Sequence, residues 1–174
     1  GLMGGREAFL RKLDENFTLT ATSGERNGNA SGFIGQYAHG NEPSHHTVYL
    51  YTMAGKPSRT EELVEQVRTS FYRATPCGYA GNDDCGQMSA WYIFSSLGFY
   101  PFNAGAAEYV IGTPLFTEAT LHLAGGRDFT IKARGKRDGH PHVKSVRLNG
   151  KRLQGHILTH RQIMAGGTLE FTMR

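Results

Sequence analysis

The chain has 174 residues, 39% of them hydrophobic, which suits one ordinary soluble domain or two small ones. No apolar run reaches the roughly 18 residues of a membrane span, and the opening Gly1-Leu2-Met3-Gly4-Gly5-Arg6-Glu7 lacks the regions of a signal peptide, as a fragment or processed chain also would. The net charge of +4 comes from the C-terminal part, where residues 100–174 hold 11 Lys and Arg against 5 Asp and Glu; without a nucleic-acid motif or interleaved aromatics these cations read as solvated strand faces, so neither nucleic acid nor membrane is an expected partner.

In chain order, Phe9, Leu10, Leu13 and Phe17 predict an amphipathic helix over Arg6–Phe17. No convincing cap precedes it, and this abrupt opening implies either an arbitrary boundary or missing upstream sequence. Gly24, Gly28, Gly32, Gly35 and Gly40 make residues 20–41 a long loop. After Pro43, Ser44 is expected to cap a helix over His45–Ala54 that stops at Gly55. Ser58 and Glu61 read as a capping box for the next helix, with the stripe Leu63, Val64, Val67 and Phe71, completing a helical hairpin.

Pro76, Gly78 and Gly81 then break the helical pattern before a third helix over Gly86–Leu97. Its apolar residues Met88, Ala90, Trp91, Tyr92, Ile93, Phe94 and Leu97 lie all round it, predicting burial on nearly every side and more neighbours than this chain supplies. From Tyr100 the period becomes two, with strands over Thr120–Ala124, Phe129–Ala133, Val143–Leu148, Ile157–Thr159 and Thr168–Met173. Gly125-Gly126, Gly135 to Gly139 and Asn149-Gly150 are expected to join antiparallel neighbours, Asn-Gly being a strong hairpin signal. The fold class is α+β, with helices over 1–99 and a small antiparallel β module over 100–174. Cys77 and Cys85 match no zinc spacing; they form a small disulfide loop or stay free thiols.

Two acidic segments carry the chemistry, Gly40-Asn41-Glu42-Pro43-Ser44-His45-His46 and Gly81-Asn82-Asp83-Asp84-Cys85-Gly86-Gln87-Met88-Ser89-Ala90-Trp91. Each stands ahead of an expected helix, so ordinary capping competes with catalysis as the account of both. Pro43 biases Glu42 toward an extended backbone. Partly buried among aromatics such as Tyr37 and Tyr49, Glu42 would stay protonated and act as a general acid. Asp83 and Asp84 precede a buried helix whose dipole favours their ionised form, as a general base requires. Asn41, Glu42, Asn82, Asp83 and Gln87 offer hard oxygen ligands of the kind calcium takes. His45 and His46 face different directions on a helix, which disfavours a shared transition metal and leaves structural or sugar-contacting roles. Trp91 and Tyr92 read first as core and second as sugar platforms.

Together these segments resemble glycoside hydrolase family 92, the calcium-dependent exo-acting α-mannosidases. The likeness extends to Tyr49-Leu50-Tyr51 with Ala54-Gly55, Leu97-Gly98-Phe99-Tyr100-Pro101, Glu108-Tyr109-Val110-Ile111-Gly112, Pro114-Leu115-Phe116, Leu158-Thr159-His160, Ile163-Met164 and Gly166-Gly167. The resemblance implies a parent with an N-terminal β-sandwich and a catalytic (α/α)6 toroid of helical hairpins. Of these, 1–99 would supply the last toroid helices and 100–174 the terminal strands; the missing parts of the same polypeptide are implied partners. It further implies periplasmic or extracellular hydrolysis of terminal mannose from glycans, α-1,2-linked, by inversion. Catalytic roles carry over to Glu42 as acid and Asp84 as base, with Asp83 as a second candidate or orienting group. His45, His46 and Trp91 become substrate-binding candidates and Asn41 and Gln87 calcium ligands. Some family members have Asp where this chain has Asn82. The competing readings are a non-catalytic carbohydrate-binding or interaction module and, more weakly, a hydrolase for another sugar or linkage. The fragment alone is expected to be inactive, since half a site positions poorly.

Overall fold

A computed structural model describes residues 2–20 and 31–174. α1 (Arg6–Thr18) turns Leu10, Leu13 and Phe17 inward, and no side chain caps its start. Tyr51 ties it down by donating to Asp14 Oδ1 at 2.8 Å. Part of the expected loop is instead an antiparallel hairpin of β1 (Phe33–Ile34) and β2 (Tyr37–Ala38). Gly24 and Gly28 of that loop lie outside the described residues.

A first 3-10 turn at Glu42–Ser44 precedes the helix expected over His45–Ala54, which is itself broken into a second 3-10 turn at Thr47–Tyr49 and α2 (Leu50–Met53). Ser44 lies inside the first turn and caps nothing. The Thr60 hydroxyl explains part of the break. It donates to the Val48 carbonyl at 2.8 Å and accepts from the Thr52 amide at 3.0 Å, inserting between the two groups that a continuous helix would have bonded to each other.

Thr60 belongs to α3 (Pro57–Phe71), which begins on proline and has no side-chain cap, so the expected Ser58–Glu61 capping box is absent. Pro57 already supplies a position with no N–H to satisfy. Glu61 turns into the interior and accepts from His142 Nδ1 at 3.1 Å. Leu63, Val64 and Val67 form the expected buried stripe. α4 (Gln87–Leu97) buries Met88, Trp91, Ser95, Ser96 and Leu97. Ile93, however, is 58% exposed, so the helix is not covered on every side as its composition predicted.

The strands follow as β3 (Phe99–Asn103), β4 (Glu108–Ile111), β5 (Glu118–Leu123), β6 (Arg127–Arg134), β7 (Val143–Leu148), β8 (Lys151–Arg152) and β9 (Ile157–Thr159). α5 (His160–Met164), which the sequence reading missed, starts with a true capping box between Thr159 and Gln162, and β10 (Gly167–Met173) ends the fold. β3, β4 and β9 form one antiparallel sheet; the other five are ordered β5-β6-β10-β7-β8. The segment Gly135 to Gly139 therefore does not join neighbours. β10 enters between β6 and β7, parallel to β6 (Leu169 opposite Ile131) and antiparallel to β7 (Phe171 opposite Val146). The detour through β9 and α5 supplies the long crossover that a parallel pair needs. Gly125-Gly126 and Asn149-Gly150 do join antiparallel pairs, the latter with φ of 49° and 77°.

Two apolar cores result. One gathers Leu10, Leu13, Phe17, Tyr37, Val48, Tyr49, Leu63, Val64, Val67 and Trp91 under the helices. The other packs Phe129, Ile131, Leu169 and Phe171 against Leu97, Leu158 and Ile163. β3 and β4 serve both: Tyr100 and Val110 face the first core, Phe99 and Ile111 the second, as the two-residue period of a strand allows. Buried Arg68 adds a polar tie, donating to the Ser95 carbonyl at 3.1 Å and the Thr113 carbonyl at 3.0 Å.

Candidate functional site

The two acidic segments meet backbone to backbone. A Cβ placed on Gly81 would lie 3.0 Å from both the Cα and the carbonyl oxygen of Gly40, and one on Gly40 would collide with the Ser31 hydroxyl and sit 3.0 Å from the Ala80 carbonyl oxygen. Only glycines permit this approach. From the contact the chains diverge into Asn41-Glu42 and Asn82-Asp83-Asp84. They enclose a cavity of about 490 Å³ lined by Ser31, Gly40, Asn41, Glu42, Gly81, Asn82 and Asp84. Two carboxylates more than forty residues apart in sequence thus share one cavity.

Asn41 is extended and Glu42 opens the first 3-10 turn, its carbonyl accepting from the His45 amide at 3.0 Å. Glu42 is half-buried, and its Oε1 atom is shielded from solvent with no hydrogen-bond partner. Asp83 turns away from the cavity. Its Oδ1 accepts from the Ser89 amide at 2.9 Å and the Ser89 hydroxyl at 3.0 Å, satisfying the first turn of α4. Asp84 therefore has no claim on those amides and faces Glu42.

Glu42 and Asp84 line the same cavity closely enough for each to perturb the other's titration. That proximity holds Glu42 below the usual carboxylate range, helped by its own amide, and lifts Asp84 above it, helped by desolvation and by the charges of Glu42 and Asp83. The polarity is the reverse of that expected from the sequence. The helix dipole that was to keep Asp84 ionised is capped by Asp83, and the aromatics that were to shield Glu42 are elsewhere. Tyr37 and Tyr49 are both buried, their hydroxyls bonded to His39 Nδ1 at 2.8 Å and Ser95 Oγ at 2.7 Å.

A buried polar lattice supports the cavity, and its centre, His39, was not singled out from the sequence. Burial, and then the nearby His45, hold the His39 pKa down to about 3, so the ring is neutral and carries one proton. Tyr72 donates its hydroxyl proton to the Met88 carbonyl at 3.1 Å and must accept from His39 Nε2 at 2.7 Å, leaving Nδ1 to accept from Tyr37. His45 is also buried. Its Nε2 donates to the His39 carbonyl at 2.8 Å, its Nδ1 faces the Gln87 amide at 3.4 Å, and its own carbonyl accepts from Trp91 Nε1 at 3.1 Å. The first acidic segment is thereby hydrogen-bonded to the helix that the second one opens. The sequence signal for His39 is slight: one polar residue adjoining the apolar pair Tyr37-Ala38.

Among the substrate-binding candidates, His45 and Trp91 stand behind the cavity rather than in its wall, Trp91 with no exposed surface. His46 is exposed and meets the Phe102 ring edge-on at 5.9 Å. Among the calcium-ligand candidates, Asn41 lines the cavity, whereas Gln87 is engaged with His45 and the Tyr100 hydroxyl. No group of three or more His, Cys, Asp or Glu placed to hold a metal occurs among the described residues. The cavity oxygens of Asn41, Glu42, Asn82 and Asp84 are hard donors of the right kind for calcium, and the orphaned Glu42 Oε1 is free to serve; a full shell of six to eight needs further oxygens. Cys77 and Cys85 are free, exposed thiols.

Comparison with known proteins gives a consistent picture. The model of the glycosyl hydrolase family 92 catalytic domain matches residues 1–174. An uncharacterized secreted glycosidase of Arthroderma benhamiae is 28% identical over 182 residues, covering 99% of this chain and 21% of its own length. The family GH92 alpha-mannosidase BT3965 from Bacteroides thetaiotaomicron, solved in complex with mannoimidazole, is 37% identical with a TM-score of 0.91, over 98% of this chain and 22% of that one. The family GH92 inverting mannosidase BT2199 of the same organism is 38% identical with a TM-score of 0.83, over 99% and 25%. The chain thus spans about a fifth to a quarter of the length of these relatives.

Proposed function

Since the chain belongs to glycosyl hydrolase family 92, matching its catalytic domain over residues 1–174, we propose that it is the part of an exported, inverting exo-α-mannosidase that holds both catalytic carboxylates. The observation that carries this reading is the meeting of Glu42 and Asp84 on one cavity. Two carboxyls on one cavity are what glycoside hydrolysis requires, one to act as acid and one as base. We assign Glu42 to protonate the leaving glycosidic oxygen and Asp84 to take a proton from water attacking the anomeric carbon from the opposite face. An inverting site needs its carboxyls about 6.5–9.5 Å apart. Sugar and water would enter between Glu42 and Asp84, leaving each carboxyl free for its role.

The relatives' names support mannose as the sugar, and the α-1,2 linkage is the one we place first. When bound, calcium would draw on the cavity oxygens, Asn41 among them, and would supply a fixed positive charge for sugar hydroxyls. Gln87 would act behind it by orienting His45. Hydrolysis of a panel of α-linked mannobioses by the full-length protein, with the product anomer read by NMR, tests the reading. We expect β-mannose as the first-formed product, activity lost on chelation and restored by calcium, and kcat lowered at least about 10²-fold by Glu42→Gln or Asp84→Asn. Near-normal turnover in either variant removes that residue's assignment. Mannoside binding with no hydrolysis by the wild type replaces the enzyme with the carbohydrate-binding alternative.

A further inference from the structure

We infer that Ser89 and Tyr79 are positioning residues for Asp84, an inference that rests on the reading of Asp84 as the base. Asp84, Cys85 and Gly86 form three consecutive left-handed residues, with φ of 43°, 58° and 90°. The first two carry a Cβ, and such residues stay in this region only where their surroundings overdetermine them. On the downstream side the run is closed by the Gln87 amide on the Asp84 carbonyl and the Met88 amide on the Asp83 carbonyl, both at 3.2 Å.

On the upstream side the Asp83 carboxylate is held twice by Ser89, through its amide and its hydroxyl. A carboxylate only accepts, so the single Ser89 hydroxyl proton goes to Asp83. Tyr79, whose oxygen lies 2.6 Å from Ser89 Oγ, must therefore be the donor in that contact. Tyr79 is itself fixed by a backbone bridge to Tyr72 and by the Tyr72 ring at 5.7 Å. An ordinary cap needs only the Ser89 amide. The added hydroxyl and the tyrosine behind it run as a directed chain, Tyr79 to Ser89 to Asp83, ending on the residue whose placement sets the direction of Asp84.

In the full-length protein, Ser89→Ala and Tyr79→Phe are expected to lower kcat by about tenfold or more with KM within about threefold, and Ser89→Thr, which keeps the hydroxyl, is expected to restore it. On an Asp84→Asn background, Ser89→Ala is expected to cost nothing further, because its effect acts through Asp84. Wild-type kcat in both single variants, or a loss that adds to that of Asp84→Asn, overturns the inference. If the wild type hydrolyses no mannoside, the enzymatic reading fails separately, and the crystal structure of the Ser89→Ala variant decides the positioning. Asp84 leaving the left-handed region supports it, and Asp84 unmoved overturns it.

Discussion

Gly81→Ala puts the geometry of the site to its most direct test. The φ of Gly81 is not positive, so the substitution adds no dihedral strain; its effect is purely one of space. The new methyl would stand 3.0 Å from the Cα and carbonyl oxygen of Gly40 and 3.2 Å from Ser31 Oγ. Carbon contacts settle at about 3.5–4.0 Å, and backbone cannot swing aside as a long side chain can, so the two loops must part by a few tenths of an ångström. Glu42 stands two residues beyond Gly40 and Asp84 three beyond Gly81, so the carboxyls move with the loops. A misplacement near 1 Å costs on the order of 10²-fold in rate, while overpacking of this kind costs about 1–3 kcal/mol of stability. A shift of a few tenths of that size should lower kcat/KM of the full-length protein on an α-mannoside by about 3- to 10-fold, with an unchanged circular dichroism spectrum. Gly105→Ala is the control: its Cβ meets only Asn103 Oδ1, at 3.6 Å. Activity of Gly81→Ala within about twofold of wild type would refute the view that this glycine contact sets the carboxylate spacing.

Two buried groups predict opposite pH dependences. His39 is held far below its unfolded value of about 6.5, so the unfolded chain binds more protons in acid, and this contribution to stability, complete above about pH 6.5, is lost toward pH 3. Urea unfolding of His39→Gln between pH 7 and 4 should show a shallower acid loss than wild type, and parallel curves contradict this. Glu61 runs the other way: burial lifts its carboxyl, with the His142 contact offsetting part of the rise. Its contribution is present below the unfolded value of about 4.3 and is lost as pH rises through the lifted folded value. Glu61→Gln should therefore gain stability relative to wild type on going from pH 4 to pH 7, and a pH-independent difference excludes the mechanism.

Much was legible in the sequence because it is encoded locally. The stripe Leu63, Val64 and Val67, the alternation of Phe129, Ile131 and Ala133, and the Asn149-Gly150 turn each fit within a few residues, and each formed as expected. The likeness of Asn41-Glu42-Pro43 and Asn82-Asp83-Asp84 to one family's motifs pointed to two segments that the fold brings together on one cavity. Local rules misled where a distant group intervened. Thr60 breaks the helix after His45, and His142 draws Glu61 out of the cap that its spacing with Ser58 suggested.

What the chain order alone determined is which segments bear acid, which bury apolar faces, and where the turns fall, since these depend on neighbours within about one helical turn or one hairpin. Only the tertiary structure decided that Gly40 and Gly81 touch, that Asp83 spends its charge on Ser89 while Asp84 meets Glu42, and that β10 slips between β6 and β7. A carboxyl's protonation and a strand's partner depend on what lies within a few ångströms in space, and in this protein those neighbours come from residues tens of positions away.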